Sequence, residues 1–327
     1  MPAITSLEPL RVVHGGRLWV HGEGFPTPAA SAADVTIGGV AARISFAAPG
    51  RLAVVVPREV EGDAPVKVSW TPGTTLYTHV ARRLATGLHQ VDNPVVDPDG
   101  RVYVTYSGTR GQQAPVSVFR VTHDGAREPF VHGLVNATSM VRTPEGHLYV
   151  SSRFEGRVYR VSADGRYEVI GSDLGVATGL ALAPDGALYV GDRTGTIFRI
   201  DTKGRTDTVA TLPGSMAAFH LAYGPDGWLY VSAPTLSTYD TLRRVHPDGR
   251  VETLPWTFGR PQGLAFDAAG VLHVVEALAG SSGVYALREG RAPELVVSGP
   301  DLVGLAFGAD GSLVVASNDT LFGFDPA

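Results

Sequence analysis

Cysteine is absent from the 327 residues, which excludes disulfides and thiolate metal sites. Lysine occurs only at Lys67 and Lys203, and no basic stripe gathers the arginines, so a nucleic-acid surface is not expected. No apolar run approaches the roughly 18 residues that a membrane-spanning helix needs, so no membrane partner is expected. The first residues, MPAITSLEPLRVVHGG, lack a charged start leading into an apolar core. No signal peptide is read there, and a cytoplasmic protein is the expectation. Charge is sparse: 18% of residues are charged, with a formal net charge of −5, against 44% hydrophobic. That balance belongs to a folded chain rather than a disordered one. What the chain has in quantity is glycine (40) and proline (23), which favours many short strands and tight turns over helices.

One hairpin is written six times. It reads DPDGRVYVTYS from 97, TPEGHLYVSSR from 143, APDGALYVGDR from 183, GPDGWLYVSAP from 224, DAAGVLHVVEA from 267 and GADGSLVVASN from 308. The turn glycines Gly100, Gly146, Gly186, Gly227, Gly270 and Gly311 are spaced 46, 40, 41, 43 and 41 apart, the period of a four-stranded propeller blade. An apolar strand precedes each copy, and a third strand with a second turn follows, as in VYRVSADG and IFRIDTKG. A fourth strand, such as Tyr167–Ile170, completes the unit. The sixth copy runs out at Phe324-Asp325-Pro326-Ala327 after its third strand. Its fourth strand is expected from before the first blade, at about Thr78 to Leu84, closing the ring and removing exposed sheet edges. The fold expected is all-β: a small sandwich over residues 1–76, then a closed six-bladed β-propeller over 77–327.

The first 76 residues stand outside the repeat. Strand-like pieces at Arg17–Val20, Val35–Ile37, Leu52–Val56 and Val66–Val68 alternate with turn residues, as in a sandwich. The stretches ITSLEP, GGRLWVHGEGF, VTIGGVAARI, LAVVVP and APVKVSW resemble the IPT/TIG immunoglobulin-like family. The resemblance implies a spacer, a binding module, or a surface for oligomerisation or protein contact.

Propeller geometry sorts the remaining residues. The turns PDG, PEG, HDG and ADG share one face and repeat fold chemistry; His123 and His246 belong to turns or surface there. The loops on the other face vary, and binding residues concentrate on such loops. Starts of first strands and ends of second strands place Asp92, Asn93, Asp192, Arg193, His220, Gln262 and Glu276 around one axial pocket. Carboxylates with an imidazole and a guanidinium can bind a metal, move a proton or grip a polyol or acid. On this reading Asp92, Asp192, His220 and Glu276 are the catalytic candidates. Asn93, Arg110, Arg153, Thr178, Arg193, Tyr239, Gln262 and Asn318 are candidates for substrate contacts, with Arg110 and Tyr239 on longer loops overhanging the pocket. Each has a structural alternative. Asp192 and Arg193 can pair with neighbouring blades, and Glu276 can cap loop amides. Asp92 and Asn93 can form a turn before Pro94, and His220, standing where the repeat has glycine, can fill space.

The blades, through GLALAPDGALYVGDR and GLAFDAAGVLHVVEA, resemble NHL-type and gluconolactonase-like propellers. That resemblance implies an axial divalent cation (Ca, Mg or Zn) held by a Glu in a Glu-Gly-Pro opening, two Asn and an Asp, polarising a lactone carbonyl and activating water. Here Asp92-Asn93-Pro94 stands at the opening, Thr178 and Phe219 stand for the two Asn, and Gln262 stands for the Asp. Asp92 alone carries over as a metal ligand. Three activities stay open: a lactonase-like hydrolase, possible without or with a metal; a non-enzymatic module for a small polar ligand or a protein; and a metal-dependent C–O lyase, to which the resemblance would assign His220 and Glu276.

Overall fold

Each hairpin copy folds for the same local reason. In the third, the Gly186 N–H donates to the Ala183 carbonyl (3.0 Å) and Ala183 N–H to the Ala187 carbonyl (2.9 Å). Asp185 accepts from Ala187 N–H (3.0 Å), and Gly186 sits at φ +83°, where a side chain would be strained. The turn fixes the register Leu182↔Leu188, and alternate side chains of both strands then face opposite sides of the sheet.

The computed structural model describes residues 2–26, 34–71, 73–122 and 124–326; the His123 turn assignment and the final Ala327 lie outside them. The described residues form strands without an α-helix. Five consecutive units of the chain are antiparallel four-stranded arrays with their strands in sequence order, beginning at Val95, Ala137, Ala177, His220 and Pro261. A sixth begins at Leu302 and contains Leu302–Phe307, Leu313–Ser317 and Leu321–Phe324. Its fourth strand is Arg82–Ala85, which pairs antiparallel with Leu321–Phe324 (Arg82↔Gly323, Ala85↔Leu321).

Neighbouring arrays bury apolar faces against each other. Val131 and Val150 share a core between the first two arrays, Val158 and Leu180 between the second and third, and Ile197 and Leu229 between the third and fourth. Leu242 and Val274 join the fourth to the fifth, and Val284 and Leu305 the fifth to the sixth. Val315 belongs to that fifth–sixth core, while Ala316, Leu321 and Val104 join the sixth back to the first.

The N-terminal part has one sheet of Ala3–Glu8, Arg17–Glu23, Arg51–Val55 and Arg43–Ala48. Its second sheet contains Arg11–Val12, Leu76–Val80, Gly62–Val68, Val35–Ile37 and Val40–Ala41. Leu18, Val20, Ile37, Val54 and Val66 fill the core between them. Two features depart from the sequence reading. Leu76–Val80 pairs within this N-terminal sheet, so Thr78 to Val80 are not part of the strand that meets Leu321–Phe324. In addition, Arg11–Val12 pairs in parallel with Glu294–Ser298 (Arg11↔Val297), giving one nine-stranded sheet that crosses the expected domain boundary. Val13 and Ala81 lie in the same buried cluster as Val284 and Leu305, so the two parts also share apolar core.

Candidate functional site

A cavity of about 850 Å³ opens where second strands end and new first strands begin. Its wall includes His89, Gln90, Arg153, Thr178, Arg193, Met216, Arg260, Gln262, Asp301, Asn318 and Asp319. Five residues expected to contact a ligand are therefore brought together: Arg153, Thr178, Arg193, Gln262 and Asn318. Asp92, Asp192, His220 and Glu276 are not among the lining residues, and neither are Asn93, Arg110 or Tyr239.

The carboxylates point at the backbone. Asp192 Oδ1 accepts from Val176 N–H (2.8 Å) and Thr194 N–H (3.1 Å), and its Oδ2 accepts from the Thr194 hydroxyl. Glu276 Oε2 accepts from Gly259 N–H (2.6 Å), and Oε1 from Arg260 N–H (2.8 Å) and Leu278 N–H (2.7 Å). Both side chains are buried, at 4% and 3% exposure. Loop amides at these turns have no strand partner, and a carboxylate receiving several of them forms strong charge-assisted bonds. The acids thereby hold the turns that carry Arg193 and Arg260. Arg153 sits on a turn held similarly: Ser152 Oγ donates to the Val135 carbonyl (2.6 Å), and Arg153 N–H donates to the Asn136 carbonyl (3.4 Å).

His220 has no exposed surface. Its Nδ1–H donates to Asp92 Oδ1 (2.6 Å), and its Nε2 lies 3.0 Å from Gln262 Oε1. The imidazole therefore ties the start of the first array to the starts of the fourth and fifth. Asn93 makes a second strap: Nδ2–H donates to the Leu264 carbonyl (2.6 Å) and Oδ1 accepts from Leu305 N–H (3.1 Å). First strands come so close here that a Cβ at Gly263 would lie 2.2 Å from Asn93 Oδ1. Asp92, Asn93 and His220 thus belong to the packing beneath the cavity. Asp92, Asp192, His220 and Glu276, the expected catalytic candidates, are each buried and bonded to protein partners, and none is among the residues lining the cavity.

Arg110 and Tyr239 are exposed on loops outside the wall. Arg110 nevertheless contributes charge: the Arg153 guanidinium is held below the usual arginine range, first by burial and then by Arg193 and Arg110. His89 is held below the usual imidazole range by burial and by the positive charge of Arg153. Sequence reasoning missed His89, Gln90 and Arg260. His89 and Gln90 precede the first repeat, and Arg260 lies one residue before a first strand, so a search confined to repeat positions passes over all three. It also missed Asn136, a fully buried residue at φ +48°. Its Nδ2 donates to the Ser107 (2.6 Å) and Thr109 (2.9 Å) carbonyls, and its Oδ1 accepts from Gly111 N–H (2.7 Å), pinning the long loop of the first array.

The divalent cation implied by the family resemblance does not find its donors. Asp92 Oδ1 is taken by His220, and the Gln262 amide oxygen contacts the same ring. Thr178 Oγ1 donates to the Gly191 carbonyl (3.1 Å) and accepts from Phe219 N–H (2.9 Å), while Phe219 offers no side-chain donor. Among the described residues, no three His, Cys, Asp or Glu gather in a way that would hold a metal ion.

Known proteins can now be set beside this geometry. The IPT/TIG domain family model matches residues 2–79. No curated protein matches the chain in sequence. An auxiliary nutrient binding protein from Bacteroides thetaiotaomicron VPI-5482 is similar in structure over 99% of this chain and 97% of its own, at 13% identity and TM-score 0.57. A gluconolactonase from Xanthomonas campestris is similar over 74% of this chain and 89% of its own, at 17% identity and TM-score 0.58. Virginiamycin B lyase from Staphylococcus aureus is similar over 86% and 92%, at 15% identity and TM-score 0.51. At these identities the likeness shows the fold alone: an all-β chain of propeller type with an IPT/TIG domain at its N-terminal end.

Proposed function

We propose that the chain is an IPT/TIG sandwich (residues 1–76) joined to a closed six-bladed propeller (77–327), and that the axial cavity binds a small polar ligand without converting it. The six arrays are the blades, and Arg82–Ala85 closes the last of them. One observation carries the binding reading: the cavity wall presents Arg153, Arg193, Arg260, Gln262 and Asn318, while Asp92, Asp192, His220 and Glu276 are bonded to protein groups away from it. A cavity of this volume with a few convergent polar groups suits a small ligand. The auxiliary nutrient binding protein, similar over nearly all of both chains, accords with binding as the role.

The hydrolase reading retains one supporting observation. His89 lies on the wall and is kept neutral by burial and Arg153, as a general base must be. Calorimetric titration with a panel of polar metabolites, before and after chelation, combined with lactone turnover assays, separates the two. Saturable binding that survives chelation, with no turnover, is expected. Lactone hydrolysis abolished by His89→Gln would overturn the non-enzymatic reading in favour of the second.

A further inference from the structure

Resting on that binding reading, we propose that the cavity ligand is an oxyanion, a small organic carboxylate or phosphate, clamped by Arg153, Arg193 and Arg260.

Several arginines outside the cavity have carboxylate partners. On the hairpin-turn face Arg199 pairs with Asp185 (2.9 Å), Arg205 with Asp207 (2.7 Å), Arg120 with Glu128 (2.7 Å) and Arg244 with Glu252 (2.7 Å). Among the described residues, no carboxylate pairs with Arg153, Arg193 or Arg260, which come from three different places around the ring and line one cavity. The buried acids bonded at the turns of two of them cannot serve. Asp192 and Glu276 are consumed by backbone N–H groups, and those bonds fix the turns on which Arg193 and Arg260 ride. Two further acids lie on the wall, both in the sixth array or at its start. Asp319 accepts from the Thr320 hydroxyl (3.0 Å), and Asp301 is exposed at φ +56°. Neither forms an ion pair with an arginine of the cluster.

Gathering like charges without partners is unfavourable for the empty protein. At Arg153, burial and the charges of Arg193 and Arg110 all oppose the protonated form. A ligand carrying the opposite charge removes that repulsion. Arginine suits the task because its planar fork of N–H donors matches the two oxygens of a carboxylate or phosphate. Three forks on turns anchored by Asp192, Glu276 and the Ser152 hydroxyl form a receptor whose geometry exists before the ligand arrives, which reduces the ordering cost of binding. The Gln262 amide nitrogen and the Asn318 amide oxygen are left for the ligand's carbonyl or hydroxyl groups, the other end of each amide being in contact with His220 and the Gln90 carbonyl respectively.

The test is calorimetric titration of the full chain with citrate, inorganic phosphate and glucose, at about 50 and about 300 mM salt, beside Arg153→Met, Arg193→Met and an Arg199→Met control. Citrate or phosphate should bind saturably and more weakly at high salt. Each cavity variant should lose about tenfold or more in affinity, and the control none. Arg153→Met should melt no lower than the unaltered protein, because it removes repulsion rather than an ion pair, so weaker binding will not reflect unfolding. Equal acid binding by both cavity variants, or saturable glucose binding with none of citrate or phosphate, overturns the oxyanion assignment and leaves the cavity as a polar-ligand site. Silence of all three probes counts against both.

Discussion

At the scale of the residue, the decisive event is what a carboxylate chooses to bond. Asp192 and Arg193 are adjacent, yet the acid turns inward to Val176 and Thr194 while the base lines the cavity. Removing such an acid leaves buried amides unpaired, at a cost of about 1–3 kcal/mol. Asp192→Ala should therefore lower stability in urea unfolding by that order, with Asp192→Asn milder because its amide oxygen still accepts. An unchanged midpoint in Asp192→Ala would contradict the capping role. Titration offers a second residue-scale prediction. Burial lowers the pKa of both His89 and His273, with Arg153 adding to the effect at His89. In the unfolded chain these rings take up protons near pH 6.5. The folded state resists until lower pH, so the unfolded state binds more protons between, and stability falls as pH drops from about 6.5 toward the folded values. Melting temperatures measured at about pH 7.5, 6.5 and 5.5 should decline. The decline should flatten in His89→Gln/His273→Gln, and equal steepness would refute the assignment.

At the scale of the element, the repeated hairpins were legible because their information is local. Turn residues and alternating apolar positions lie within a few residues of each other, as in APDGALYV, and no distant partner is needed to read them. The strand that pairs with Leu321–Phe324 was less legible. LYTHVARRLA reads as one continuous strand, but its first half pairs with Gly62–Val68 and its second half with Leu321–Phe324. Both sheets ask for the same period of two, so the pattern does not say where the chain changes partners. First-strand starts are an element-scale constraint too. Gly263→Ala would thrust a Cβ against Asn93 Oδ1, and overpacking of this kind costs about 1–3 kcal/mol. The Cβ would also meet the backbone at Gly304 Cα (2.8 Å) and the Val303 carbonyl oxygen (2.9 Å), so Asn93→Ala should relieve only the side-chain part of the clash. Additive losses in the double-mutant cycle would show that the two residues do not press on each other.

At the scale of the whole molecule, the N-terminal part shares a sheet with the fifth array. Arg11–Val12 covers the outer strand Glu294–Ser298, Val13 N–H donates to the Ser298 carbonyl (2.9 Å), and Arg17 N–H donates to Ser298 Oγ (2.9 Å). Deleting residues 1–76 exposes that strand edge and uncovers apolar core at Val284 and Val297. Exposed edges recruit other chains. The truncated protein should melt at a lower temperature and aggregate on heating, while the intact chain unfolds in a single calorimetric transition. Two separated transitions in the intact chain, or a truncated form as stable as the whole, would show the parts to be independent.

The sequence by itself determined the repeating hairpin, its turns, the all-β class and the existence of an N-terminal segment outside the repeat. All of these depend on interactions between near neighbours along the chain. Tertiary structure alone decided which charges face the cavity. Val176, Gly259 and Arg260 lie 16 or 17 residues from the acids that receive their N–H groups, and His220 lies 128 residues from Asp92. From the sequence alone, Asp192, Glu276 and His220 read as candidate catalytic groups. In the folded chain they bond turns and strands, and Arg153, Arg193 and Arg260 line the cavity.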